Sequence, residues 1–294
     1  MSRLDGILLV DKPEGITSAE VVRRVKRCTR AKVGHLGTLD PFAGGLLPLC
    51  LDEGTKIAPF LNQADKSYSG TIRLGTRTDS GDLTGEVVES APVPPVPAAA
   101  TVDEVAASLL GEHDQVPPMH SAIKRDGRPL YELARQGITV EREARRIRID
   151  RLTLAWAGGD VVSFTVDCSK GTYVRVLAED IARALGTVGH VATLRRTRFG
   201  GFRIEDAATL EAVEADPRTG LLSPSEALAG MAALTLGGDN LRRARQGFEP
   251  LLTRLKMPGD ADVVKLVTAN DALVAVLTRT EDGVWRYARV FAEL

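Results

Sequence analysis

Gly34-His35-Leu36-Gly37-Thr38-Leu39-Asp40-Pro41-Phe42-Ala43-Gly44-Gly45 follows neither the 3.6-residue period of a helix nor the two-residue period of a strand. Four glycines and a proline in twelve residues make it a shaped loop, and Asp40 is the carboxylate within it. Pro41 biases Asp40 toward an extended backbone, and the flanking glycines let a bulky ligand approach the main chain closely. Leu36, Leu39 and Phe42, with Leu46 and Leu47 just beyond, would bury the flanks, so Asp40 would emerge from a partly dry floor. The alternative is an ordinary Asp-Pro turn whose carboxylate bonds local backbone.

A carboxylate on a dry floor needs a partner or it takes up a proton. Thr172-Tyr173-Val174-Arg175, where a strand runs into a helix, supplies a guanidinium able to hold it ionised and aimed. Such a carboxylate suits nucleophilic or base chemistry on a sugar or nucleobase.

Working outward, Ile7–Val10 reads as a buried strand stopped by Lys12-Pro13-Glu14-Gly15. Thr17 or Ser18 can cap a helix carrying Val21, Val22 and Val25 inward. Strands are expected at Leu46–Leu51, Ser67–Leu74 and Val161–Val166, with Gly85–Glu89 continuing the sheet after a Gly/Asp/Thr-rich turn at 75–85. A short helix is expected at Thr55–Leu61, an extended run at Pro92–Pro97, and a capping-box helix from Thr101 and Glu104 to about Leu110. Residues 113–146 read as a polar excursion with one helix, Pro129–Gln136. A helix over Tyr173–Leu185 turns Val176, Leu177, Ile181 and Leu185 inward. Short strands close the chain at Val263–Val267, Ala272–Thr278 and Val284–Phe291, the last two joined through Glu281-Asp282-Gly283. Strands and helices mix without regular alternation, which predicts α+β with a mixed sheet.

The 294 residues, 44% hydrophobic and 26% charged, describe a globular chain without the ~20-residue apolar run of a membrane span. No signal peptide is legible at the N-terminus, so a cytoplasmic protein is expected. Three scattered cysteines and four scattered histidines offer neither a disulfide framework nor a metal site. Phosphate-binding glycine loops are missing, and no cofactor is expected. Net charge is −1, yet residues 1–204 carry 28 basic against 25 acidic side chains while 205–294 carry 10 against 14. Arg23, Arg24, Lys26, Arg27, Arg30 and Lys32 crowd ten positions free of acids, and Arg142, Arg145, Arg146, Arg148 and Arg151 form a second group. Basic patches of this kind matter more than totals for a polyanionic partner, although each also reads as a solvated face.

Six blocks occur in order: Leu9–Gly15, Gly34–Pro48, Asp65-Lys66-Ser67-Tyr68, Pro117-Pro118-Met119-His120-Ser121-Ala122-Ile123-Lys124, Ser169–Arg175 and His190–Arg196. Together they resemble the bacterial TruB family, the tRNA pseudouridine-55 synthases, over roughly residues 4–204. The resemblance implies a pseudouridine synthase fold with a largely antiparallel sheet and cofactor-free isomerisation of one uridine in the tRNA T-loop after base flipping. It implies Asp40 as the catalytic aspartate, Arg175 as its partner, and Tyr68 stacking on the target base and serving in the final proton abstraction. Tyr173 and Leu194 would line the base pocket, Lys12 and Pro13 would brace the loop, and His35 would stack into the space the flipped base leaves. Each has a plainer structural reading: a packed strand tyrosine, a surface arginine, core side chains, a loop histidine.

A catalytic domain over 1–230, with an inserted segment around 91–148, and a small PUA-like RNA-binding domain over 231–294 are expected. The expected partner is tRNA through its T-arm, with no protein partner or membrane, and the protein is expected as a monomer. His120 departs from the family pattern, where many relatives carry tyrosine. Asp40 argues against a pure RNA chaperone, since a carboxylate facing phosphates weakens binding. The chain length and short N-terminus argue against a guide-RNA-dependent relative. A glycoside hydrolase would need two cooperating carboxylates, and the blocks offer no second one. Attack on the base, attack on the anomeric carbon and abstraction of a ribose proton all remain open routes for Asp40.

Overall fold

Amphipathic spacing and capping chemistry fix the first elements. Strand β1 (Gly6–Lys12) is buried almost throughout. Helix α1 (Ser18–Thr29) is capped by Thr17, whose hydroxyl accepts from Glu20 N, and ends on left-handed Arg30. Val21 and Val25 are fully buried, each contributing about 1.5–3 kcal/mol. Strands β2 (Val33–His35) and β3 (Gly44–Leu51) follow, then a 3-10 turn at Asp52–Lys56 and helix α2 (Ala58–Leu61) where one short helix was expected. The structure, a computed structural model, describes residues 4–96, 99–121, 123–125, 127–134 and 136–291. The expectations touching Pro97 and Ala122, and the outer bounds 1 and 294, lie outside the described residues.

The middle of the chain differs most from expectation. Strands β4 (Lys66–Leu74), β5 (Thr76–Thr78) and β6 (Val87–Ser90) form, but β6 pairs with β5 in a separate two-stranded ribbon instead of continuing the main sheet. Helix α3 (Ala99–Ser108) already contains Thr101, so the capping-box reading placed its start too late. Strand β7 (Gly111–Gln115) runs into the polar excursion, which also contains a hairpin of two-residue strands (124–125 with 128–129) and helix α4 (Leu130–Ala134). Strand β8 (Arg145–Gly158), unanticipated, buries Ile147 and Ile149, then Leu152 and Leu154, with a register shift between Ile149 and Arg151. That bulge flips the inward phase halfway along, which hid the alternation. Strand β9 (Val161–Cys168), helix α5 (Val174–Ala184) and strand β10 (Gly189–Phe199) complete this part. Strand β10 was also missed, because bulges after Val191 and Arg196 interrupt its period and a buried arginine occupies one inward position.

The chain forms two compact units. In one, made of residues up to 39, 46–63 and from 201 onward, β1 pairs in parallel with Ala208–Thr209 and antiparallel with Leu221–Leu222, and β2 pairs antiparallel with β3. This unit also holds helices α6 (Leu210–Ala215) and α7 (Gly238–Arg245) and a four-stranded sheet, β11 (Ala232–Thr235), β12 (Val263–Val267), β13 (Leu273–Arg279) and β14 (Trp285–Val290). Leu236, Ala244, Leu251, Leu266, Val274 and Leu277 pack as that sheet's own core. In the other unit, residues 40–45 and 64–200, the order β10-β4-β9-β8-β7 is antiparallel throughout, and the first two residues of β3 join β10 in parallel. The fold is α+β with a mixed, largely antiparallel sheet.

Within this second unit, Tyr68 and Ile72 of β4, Val166 and Phe164 of β9 and Leu194 of β10 are buried, whereas Arg195, Thr193 and Thr165 on alternate positions are exposed. Gly45 (φ +100°) lies against Arg196, where a Cβ would sit 2.4 Å from the Arg196 carbonyl oxygen. This glycine therefore serves strand-to-strand approach at the exit of the Asp40 loop.

Candidate active site

Asp40 opens the short 40–45 stretch of the second unit, its side chain 35% exposed, and its partner comes from α5. Arg175 Nε lies 2.9 Å from Asp40 Oδ2, and Nη2 donates to Oδ1 at 3.3 Å. The arginine is itself buried, and it also donates to two main-chain carbonyls: Nη1 to Ser80 O at 2.7 Å and Nη2 to His120 O at 2.6 Å. Full hydrogen bonding of this kind lets a cation stay buried. The Asp40 loop and the helix N-terminus singled out from the sequence are thus brought together.

A second carboxylate also reaches the arginine. Asp82 Oδ2 is 3.6 Å from Arg175 Nη1, and the Asp82 side chain is only 6% exposed. Its Oδ1 accepts from Ser80 Oγ at 3.0 Å, Thr84 N at 2.9 Å and Thr84 Oγ1 at 2.6 Å. These bonds tie up the carboxylate, so it supports the guanidinium instead of acting as an exposed acid. Sequence reading passed over Asp82 as part of a turn, though Asp79-Ser80-Gly81-Asp82-Leu83-Thr84 carries the Asx chemistry that builds such a turn. The position of His120 acts here through its carbonyl, which any residue type supplies.

Tyr68 is 8% exposed and directly opposite Arg196 of β10, which is wholly buried. Arg196 hydrogen bonds to the Tyr68 hydroxyl and lies 5.3 Å from the Phe199 ring centroid. Burial pushes the Tyr68 phenol up and the Arg196 guanidinium down, and the attraction between them opposes both shifts. Lys66 sits 4.7 Å from the same Phe199 ring; burial, then repulsion from Arg196, lowers its ammonium to about 8. Leu194 is 5% exposed and Tyr173 half-buried, with the Tyr173 phenol raised by burial.

Lys12, Pro13 and His35 belong to the first unit. Lys12 is fully buried, and its ammonium donates to Pro13 O at 2.9 Å and Ile16 O at 2.6 Å, tying down the turn after β1, while Pro13 is exposed. His35 ends β2 opposite Leu49 and is half-buried. Ser18, not used as the helix cap, holds the main chain one residue before Asp40: its hydroxyl donates to Leu39 O and accepts from Leu39 N, both at 2.9 Å.

The basic groups are less free than their sequence suggests. Arg23 pairs with Glu20 and Arg24 with Glu214. Along β8, Arg146 pairs with Glu112 and Asp114, Arg148 with Asp150 and Asp65, and Arg151 with Asp167. No helix among the described residues is long and apolar enough to cross a membrane.

Comparison with known proteins places the chain in a family. The family model described as TruB family pseudouridylate synthase, N-terminal domain, matches residues 23–174, and that of the tRNA pseudouridylate synthase B C-terminal domain matches 175–227. The tRNA pseudouridine synthase B of Aromatoleum aromaticum is 52% identical over 231 residues, covering 77% of this chain and 74% of the relative. That of Burkholderia mallei is 45% identical over 295 residues, covering 96% and 95%. A chain from an H/ACA RNP bound to a substrate RNA containing 2′-deoxyuridine superposes with a TM-score of 0.73 at 22% identity, covering 98% of this chain and 85% of that one, a likeness of fold. On these matches the chain belongs to the TruB family of pseudouridylate synthases.

Proposed function

We propose that the chain converts the uridine at position 55, in the T-loop of tRNA, to pseudouridine, with Asp40 as the catalytic carboxylate. The reaction is an isomerisation. The bond from N1 of the base to the anomeric carbon breaks, the base turns, a bond forms from C5, and the C5 proton departs while N1 gains one. No cofactor is required by that balance. The observation that carries the reading is the two-point grip of buried Arg175 on Asp40. It favours the ionised, oriented carboxylate that every route from this residue needs.

Tyr68 serves as the surface on which the flipped base stacks and, as its phenolate, as the acceptor of the final proton, the charge of Arg196 favouring that anion against burial. Tyr173 and Leu194 line the base pocket, His35 fills the space the base vacates, and Lys12 with Pro13 steadies the turn after β1. We assign residues 1–230 to catalysis and 231–294 to a PUA-like RNA-binding domain, with the T-arm of tRNA as partner and a monomer in the cytoplasm as the working form. Incubating the purified chain with an unmodified tRNA transcript, without guide RNA or other protein, tests the proposal. Pseudouridine should appear at position 55. Its absence, or its appearance elsewhere, overturns the reading.

A further inference from the structure

Gln115 closes β7 in the segment whose sequence reads as a polar excursion, yet it is only 5% exposed. Its carboxamide faces the main-chain N–H and C=O of one residue in a distant element. Tyr173 N donates to Gln115 Oε1 at 2.7 Å, and Gln115 Nε2 donates to the Tyr173 carbonyl at 3.2 Å. A side-chain amide here satisfies both main-chain groups of one residue, as a neighbouring strand would.

Tyr173 is the N-cap of α5, and its own side chain makes no capping bond. Its carbonyl also accepts from Val176 N and Leu177 N, both at 3.1 Å, so the first turn of the helix hangs from the group that Gln115 holds. Arg175 lies in that turn. Five residues after Gln115, the His120 carbonyl takes the Arg175 Nη2 hydrogen bond at 2.6 Å. Pro117 and Pro118, between these two anchor points, limit how far the connecting chain can flex. One segment therefore grips α5 at its cap and again at its functional side chain.

We infer that Gln115 is a positioning residue for the reaction: its buried carboxamide locks the Tyr173 main chain and so fixes the angle at which α5 presents Arg175 to Asp40. This rests on the function proposed above. Gln115 need not touch substrate. It acts through a helix turn, where a displacement of about 1 Å at the reacting groups costs on the order of 10²-fold in rate. Leucine at 115 removes both hydrogen bonds at similar volume. Glutamate keeps an acceptor for Tyr173 N but turns a second acceptor toward the Tyr173 carbonyl.

The test uses the full chain with Gln115→Leu and Gln115→Glu, and Asp114→Ala as the control. Asp114 is an exposed neighbour that pairs with Arg146 at 3.5 Å. Single-turnover rate at saturating unmodified tRNA, tRNA affinity and melting temperature are read for each. Both Gln115 variants should lose about 10- to 100-fold in rate while affinity stays within about threefold, and the control should match wild type. The loss should persist well below each variant's melting temperature, which a purely structural role would not produce. Folded Gln115 variants turning over within about twofold of wild type, or losing affinity alone, overturn the inference. So does failure of both variants to fold, which makes Gln115 a stability residue. A wild-type chain that forms no pseudouridine instead overturns the proposed function, a separate outcome.

Discussion

Arg175 and Asp40 meet through two parallel contacts, Nε to Oδ2 at 2.9 Å and Nη2 to Oδ1 at 3.3 Å, while the same guanidinium faces Asp82 at 3.6 Å. One buried cation thus serves a half-exposed carboxylate and a buried one. The buried carboxylate is consumed by Ser80 and Thr84, and the half-exposed one keeps an accessible face for chemistry. The asymmetry between the two acids is set by what each is bonded to.

Asp40→Asn should abolish pseudouridine formation and leave tRNA binding intact or slightly tighter. The amide preserves volume but removes the charge that attack or proton abstraction requires, and it places an N–H₂ group where Arg175 expects an acceptor. Product measured at long times with saturating tRNA checks this. Turnover within about tenfold of wild type removes Asp40 from the mechanism.

Arg175→Lys should cost about 10²-fold in rate, because an ammonium cannot make the parallel pair to Asp40 while also reaching Ser80 and His120. Substitution of a buried, four-partner arginine should also lower the melting temperature. Rates compared at equal folded fraction separate the two effects. An unchanged rate places Arg175 outside the catalytic arrangement.

Much of this site was legible from residue order. Asp40 could be singled out because glycines and a proline bracket it, and Arg175 because a turn-to-helix junction carries it. Asp82, Ser80 and Gln115 were not legible, because they act through hydrogen bonds whose partners lie about sixty to a hundred residues away. In the fold, β1, β3 and β4 follow apolar runs or alternation, and β12 was legible although a buried lysine, Lys265, interrupts its apolar run. Strands β8 and β10 were missed because bulges shift their phase and because Arg196 occupies an inward position that pattern reading reserves for apolar side chains. Arg195 and Arg196, adjacent in sequence, are on opposite faces of a strand, the first exposed and the second wholly buried.

That alternation gives the next expectation. Arg196→Glu should yield little folded protein, since it puts a carboxylate beneath Tyr68 in place of a wholly buried cation. Arg196→Met, similar in length and apolar, should fold and lose rate as the Tyr68 hydroxyl loses its donor. Arg195→Glu, on the exposed face away from Tyr68, should change tRNA affinity by less than about threefold and leave its salt dependence nearly unaltered; a contacting phosphate ligand would instead flatten the slope by about 0.7–0.9. Binding measured across a salt series decides it, and a flattened slope for Arg195→Glu would show that tRNA reaches that face.

Lys66 gives a pH signature whose sign can be worked out. Burial and Arg196 lower its ammonium in the folded chain to about 8, against an ordinary value of 10.5. Between these limits the unfolded chain binds the proton and the folded chain has released it, so this group makes stability rise with pH through that window. The buried thiols act oppositely. Cys168 is pushed up to about 11 and Cys50 to about 12 by burial, so the unfolded thiols ionise from about 9 while the folded ones do not. Net stability therefore mixes two trends, and Lys66→Met isolates one of them. Wild type should gain stability relative to Lys66→Met as pH rises from about 8 to 10.5, and show a constant difference below 8. Urea denaturation at pH 7, 8, 9 and 10 measures it. Parallel stability curves for the two proteins would mean that Lys66 holds its proton in the folded chain as tightly as in the unfolded one, and would overturn this expectation.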